Sequence, residues 1–139
     1  MKKVYPVIFT QTEDMILIEV PDLQILTQGI NLTESIEMAR DAIGLKIISL
    51  QDIGEVIPEA SEERMIDVMQ GTFASDGNSF SSLVDIDVAA YRRKYDNKTV
   101  RRNVTLPNWL NIEAEKAHLN VSRVLQEALM SVLNVQRTI

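Results

Sequence analysis

The residues best equipped for chemistry lie near the C-terminus of this 139-residue chain, in the run Val100-Arg101-Arg102-Asn103-Val104-Thr105-Leu106-Pro107. Strand-like alternation puts Arg101, Asn103 and Thr105 on one face, and Val100, Val104 and Leu106 on the other. Arginine can donate two hydrogen bonds to guanine O6 and N7, asparagine can pair with adenine N6 and N7, and threonine can reach either or the thymine methyl. A two-stranded ribbon carrying these side chains fits a major groove, so Arg101, Asn103 and Thr105 are the candidate base contacts. Further on, Asn120-Val121-Ser122-Arg123 opens a helix with unbonded N–H groups, a hydroxyl and a cation, an arrangement that suits a phosphate. Asn120, Ser122 and Arg123, together with Lys98 and Arg102, are the candidate phosphate contacts.

Other chemistries lack their residues. There is no cysteine, which excludes disulfides, thiol catalysis and thiolate metal sites, and His118 is the only histidine. Metal-dependent nuclease chemistry needs several converging carboxylates. Val4 to Thr10 contains none; Glu34, Glu37 and Asp41 share an ordinary wet helix side; Asp85 and Asp87 have no evident third ligand. The expectation is a protein without catalytic residues, metal or cofactor.

The elements that must position the C-terminal groups are one strand over 100–106, a helix over 109–119 started by Pro107-Asn108, and a helix over 121–134. The last carries the stripe Val121, Leu125, Ala128 and Val132, broadened by Val124, Leu129 and Leu133. A unit of about 40 residues rarely folds alone without metal, disulfide or oligomerisation. A single strand must also find a partner for its backbone. The simplest closed arrangement is an antiparallel pair across a two-fold axis, which makes a homodimer.

Upstream, the pattern is β-β-β-α-β. Val4–Thr10 and Met15–Val20 are strands joined by Gln11-Thr12-Glu13-Asp14; Leu23–Gln28 is a third, ending at Gly29. Asn31 with Glu34 three residues on starts a helix whose face is Leu32, Ile36, Ala39, Ile43, Ile47 and Leu50, with Gly44 a weakness in it. Glu62–Met69 reads as a short helix, 71–82 as a turn-rich stretch centred on Asp76-Gly77-Asn78, and Leu83–Val88 as a strand. This is an α+β layer with a helix across one sheet face.

Charge divides the chain at the same place. Residues 1–90 hold 5 Lys/Arg against 16 Asp/Glu, a net −11, and residues 91–139 hold 9 against 4, a net +5. The expected organisation is an acidic domain over 1–90, a linker over 91–97 reading YRRKYDN, and a basic domain over 98–139. The basic half suits DNA; the acidic half repels DNA and attracts a basic partner. No apolar run reaches the roughly 18–20 residues of a membrane span, and the short run after Lys2-Lys3 does not make a signal peptide, so a cytoplasmic location is expected.

The segment RRNVTLPNWLNIEAEKAHLNVSRVLQEAL resembles a ribbon-helix-helix DNA-binding domain. Upstream, YPVIF, IEVPDL, TQG with its NLTESIEMA helix start, and LVDIDVAAY resemble the HicB antitoxins of HicA–HicB toxin–antitoxin systems. The likeness spans nearly the whole chain and is weakest from about 57 to 79. It departs at Met15, where typical members carry glycine, and at Gln24-Ile25, where they often read Pro-Gly. The resemblance implies a partial RNase H-like N-terminal domain that binds a small basic HicA-type ribonuclease toxin. It also implies repression of the cognate promoter by a C-terminal dimer on double-stranded operator DNA, with two such dimers side by side as a family-level expectation. Glu13, Asp14, Glu19, Asp22, Glu34 and Glu37 are the candidate toxin-binding residues. The rival expectations are a ligand-responsive ribbon-helix-helix regulator without a toxin partner, and a metal-dependent nuclease.

Overall fold

The structure is a computed structural model and describes residues 1–135; the last four positions of the expected C-terminal domain lie outside the described residues. The chain divides into two compact units, Met1–Tyr95 and Asp96–Ile139.

The first unit is a four-stranded antiparallel sheet in the order β3-β2-β1-β4. Its strands are β1 (Lys2–Gln11), β2 (Ile16–Val20), β3 (Ile25–Gly29) and β4 (Asn78–Asp87), and helix α1 (Leu32–Asp52) packs on one face. The β1–β2 turn closes where it was expected: the Thr12 amide donates to the Met15 carbonyl at 2.9 Å, and the Thr12 hydroxyl accepts from the Met15 amide at 3.1 Å. Strand alternation then sorts the core. Tyr5, Val7 and Phe9 of β1, Ile16, Ile18 and Val20 of β2, and Val84 and Ile86 of β4 meet Ala39, Ile43 and Ile47 of α1 in one buried cluster. Asn31 caps α1 by accepting the Glu34 amide at 2.8 Å. The Glu34 carboxylate reaches back to the Ile30 amide at 2.9 Å, one residue beyond the usual capping-box donor.

Several expectations change. The turn-rich stretch is shorter than read, because β4 begins at Asn78 rather than Leu83 and pairs with β1 along ten residues. Gly77 permits this entry: a Cβ there would stand 2.0 Å from the Gln11 carbonyl oxygen. Once paired, Phe80 stacks on Phe9 with ring centroids 5.4 Å apart, and the Ser79 and Thr10 hydroxyls bond at 2.7 Å. The expected helix at Glu62–Met69 is two separate 3₁₀ turns, Glu63–Met65 and Val68–Gln70. No residue from 53 to 77 is buried, so no apolar face holds a continuous helix there.

The third change is at the unit boundary. Residues 91–95, read as linker, are the end of helix α2 (Val88–Tyr95), and the irregular stretch begins at Asp96. Asp87 starts α2 by accepting the Ala90 amide at 3.1 Å, a bond that lowers its pKa. Tyr91 and Arg92 dock the helix on α1: Tyr91 donates to Asp41 at 3.0 Å, and Arg92 meets Asp52 at 3.1 Å and Gln51 at 2.9 Å.

The second unit holds helices α3 (Asn108–Lys116) and α4 (Val121–Leu133). Helix α3 ends three residues earlier than read, because His118 takes the left-handed conformation (φ 55°). The His118 amide then bonds the Glu115 carbonyl, and the Leu119 amide bonds that of Ala114, a Schellman closure that satisfies the last carbonyls.

Candidate functional site

In the second unit, Arg101, Asn103 and Thr105 lie exposed in an irregular stretch that runs to Pro107. No strand is assigned over 100–106 in the single chain. A strand is defined by hydrogen bonds to a neighbour, and none of the described β-strands belongs to this unit. Lys98 and Arg102 are exposed in the same stretch. Asn120 is occupied as the N-cap of α4, accepting the Arg123 amide at 3.1 Å. The Arg123 guanidinium pairs with Glu127 one turn on, at 3.1 Å. The Val121 and Ser122 amides at the helix start remain outside intrahelical bonding. No described residue after Tyr95 is buried, and Trp109, Leu129, Val132 and Leu133 are all more than half exposed. Helices with such apolar stripes have not yet covered them.

In the first unit the six candidate acidic residues fall on separate surfaces. Glu13 and Asp14 sit at the β1–β2 turn. Glu19 points from β2 to the sheet face opposite α1, because Ile18 and Val20 point to the helix. Glu34 and Glu37 lie on α1. Several of these carboxylates already hold the fold. Glu19 accepts the Thr72 amide and hydroxyl, both at 2.8 Å. Asp22 accepts the Ser61 amide at 2.9 Å and its hydroxyl at 2.6 Å. Glu34 belongs to the α1 cap. Asp85, weighed as a metal ligand in the sequence, instead binds Arg40, which donates to its carboxylate at 3.1 Å and to its carbonyl at 3.0 Å. Among the described residues no three His, Cys, Asp or Glu side chains gather as a metal site requires.

Two concavities of the first unit lie beside these residues. A cleft of about 840 Å³ opens between α1 and α2, with Glu37, Asp41, Asp87 and Tyr91 on its walls beside Arg40 and Lys94. Burial and the bond to Asp41 push the Tyr91 hydroxyl up to about 12. A smaller recess of about 320 Å³ lies on the opposite sheet face, between Pro21, Glu19, Ile8 and the residues 65–71. The sequence singles out Glu19 in this recess but none of the residues 65–71 as candidates. Their signal was a density of acidic residues, six between 53 and 77 against one arginine, with Met65 and Met69 among them.

No family model and no curated protein matches the chain. Solved structures do. A chain of a toxin–antitoxin complex from Streptococcus pneumoniae aligns over 94 % of this chain and 99 % of its own, at 23 % identity and a TM-score of 0.61. The antitoxin HicB of Burkholderia pseudomallei aligns over 95 % and 97 %, at 20 % identity and a TM-score of 0.52. The chain shares their fold. Among the described residues no helix is long and apolar enough to cross a membrane.

Proposed function

We propose that the chain is a HicB-type antitoxin and autorepressor without enzymatic activity. Its N-terminal unit, read as partial RNase H-like, binds and neutralises a small basic HicA-type ribonuclease toxin. Its C-terminal unit, read as ribbon-helix-helix, dimerises and binds operator DNA through Arg101, Asn103 and Thr105, with phosphate contacts from Lys98, Arg102, Ser122, Arg123 and the start of α4. The observation that carries this reading is a fold likeness running almost end to end along a chain of a toxin–antitoxin complex. Charge supports the division of labour: −11 over 1–90 suits a cationic protein, and +5 over 91–139 suits DNA. The exposure of the C-terminal unit, in which no described residue is buried, supports dimerisation, because its apolar stripes and its 100–106 segment find cover and backbone partners in a second copy.

The test is a growth and RNA-decay assay. The small open reading frame beside the gene is expressed alone and then together with this chain. Growth arrest and RNA loss that the chain reverses are expected. A harmless neighbour, or toxicity the chain leaves untouched, defeats the antitoxin reading. The α1–α2 cleft favours a second reading, a ligand-responsive regulator without a toxin partner, since its volume is that of a small-molecule site. Operator affinity that responds to a metabolite extract and not to the neighbouring protein would select it.

A further inference from the structure

We infer that the cationic partner docks on the part of the 53–77 strap that crosses the sheet face opposite α1, residues 63–72, with Met65 and Met69 as its apolar anchors. The inference rests on the antitoxin reading and assigns the face that reading uses.

The strap is a built surface. Its 3₁₀ turns lie over Ile8, Glu19 and Ser81 and are tied down by side chains from four directions. Asp22 holds Ser61, Glu19 holds Thr72, Glu63 accepts the Ser81 hydroxyl, and the Tyr5 hydroxyl donates to the Pro58 carbonyl at 2.7 Å. A segment so fixed presents its outer side chains in a set arrangement, which lowers the ordering cost of binding. Met65 and Met69 are 72 % and 71 % exposed despite being apolar. Polarizable, unbranched methionines adapt to a partner's contours. Between Met65 and Pro21 the recess has Ile8 as an apolar contact and Glu19 and Asp67 as carboxylates, with no cation in its lining. That combination takes the aliphatic stem of a lysine or arginine and pairs with its head. Glu19 is bonded to Thr72, yet a carboxylate has acceptor capacity beyond two bonds.

Charge separates this face from the other concavity. Residues 53–77 carry six Asp/Glu and one Lys/Arg, a net −5. The carboxylates of Glu55, Glu59 and Asp76 make no hydrogen bond or ion pair with other described residues. In the α1–α2 cleft the acids face Arg40 and Lys94, and Asp41 is engaged by Tyr91. The cleft lining includes two cations, Lys94 and Arg40, the latter paired with Asp85, whereas the recess at the strap has none and the strap's one cation, Arg64, is paired with Glu62. Electrostatic complementarity therefore steers the partner to the strap.

The experiment uses the full chain and the purified product of the adjacent open reading frame, in an inactive form that can be handled. Met65→Lys with Met69→Lys is expected to weaken the complex roughly tenfold or more, as loss of central anchors does. Both positions are exposed, so folding and operator binding stay at wild-type level. Met65→Leu, which keeps the apolar contact, retains binding. Hydrogen exchange on the wild-type complex is expected to show protection across 62–72. Wild-type binding by the double lysine variant, or protection confined to 34–41 and 87–94, overturns the docking face while leaving the antitoxin reading in place. Failure of the wild-type chain to bind the neighbouring protein overturns both.

Discussion

Tyr91 sits in the notch left by Gly44. A Cβ on Gly44 would stand 2.7 Å from Cδ2 of the Tyr91 ring, and the ring's hydroxyl donates to Asp41 one turn earlier at 3.0 Å. The glycine that weakens α1 as an isolated helix is thus the place where α2 docks, and α2 ends where the second unit begins.

Gly44→Ala is therefore expected to destabilise the N-terminal unit. Overpacking costs about 1–3 kcal/mol, which outweighs the roughly 1 kcal/mol of helix propensity gained. In a Tyr91→Ala background the sign reverses, because the notch is empty and only the propensity term remains. Denaturant melts of the four variants decide it; equal losses in both backgrounds would refute the notch.

The Tyr91 hydroxyl gives an alkaline signature. Its pKa is raised from 10.0 to about 12, first by burial and then by the bond to Asp41. A raised folded-state pKa contributes stability that is complete below the unfolded value and is lost as pH climbs through the folded value. Docking of α2 should weaken across pH 10–12. Tyr91→Phe should flatten that limb while costing about 0.5–1.5 kcal/mol at neutral pH. Phenolate absorbance gives the titration, and a Tyr91 that ionises near 10 would contradict the geometry.

Asn31→Ala removes the side chain that accepts the Glu34 amide. A loss of about 1 kcal/mol is expected from urea unfolding. A neutral result would mean that water or the Glu34 carboxylate substitutes fully.

The clamps on the strap act locally. Asp22→Ala releases Ser61, and since Ser61 is exposed and Asp22 only half-buried the change in Tm should be small. Proteolysis within 53–77 should accelerate, because local opening governs cleavage. An unchanged cleavage pattern would show that the remaining ties suffice.

On the C-terminal side, Arg101→Ala should cost about 1–3 kcal/mol of operator binding and relax specificity at one base position. Operator affinity should fall steeply with salt. A flat salt dependence contradicts phosphate anchoring, and unchanged binding removes Arg101 from the readout.

Much of this architecture was legible before any coordinates. The 3.6-residue spacing of Ala39, Ile43 and Ile47 and the alternation of Ile16, Ile18 and Val20 name the two surfaces that meet in the core. Asn31 and Asn120 could be read as caps because a short side-chain oxygen reaching an amide three residues on is a local event. The candidate sites were less legible. Glu19 and Asp22 looked like partner-facing charge, but their hydroxyl and amide partners lie about fifty and forty residues away along the chain. No local pattern announces such a pairing. The 3₁₀ turns and the early start of β4 escaped for the same reason, since Gly77, Phe80 and Ser79 take their places only against Gln11, Phe9 and Thr10 of a distant strand.

The sequence by itself determined the strands and helix of the core layer, the centre of the buried face of α1, the acidic and basic halves, and the absence of thiol chemistry. These depend on residue type and on spacings within a few turns or strand repeats. Tertiary structure alone decided which carboxylates are consumed as clamps and caps, that 88–95 is a docked helix, and that residues 63–72 of the acidic segment are fastened over the sheet face opposite α1 with two methionines outward. Those outcomes depend on which distant groups meet. Burial and hydrogen-bond satisfaction are settled between surfaces, after the local pattern has already been spent in forming them.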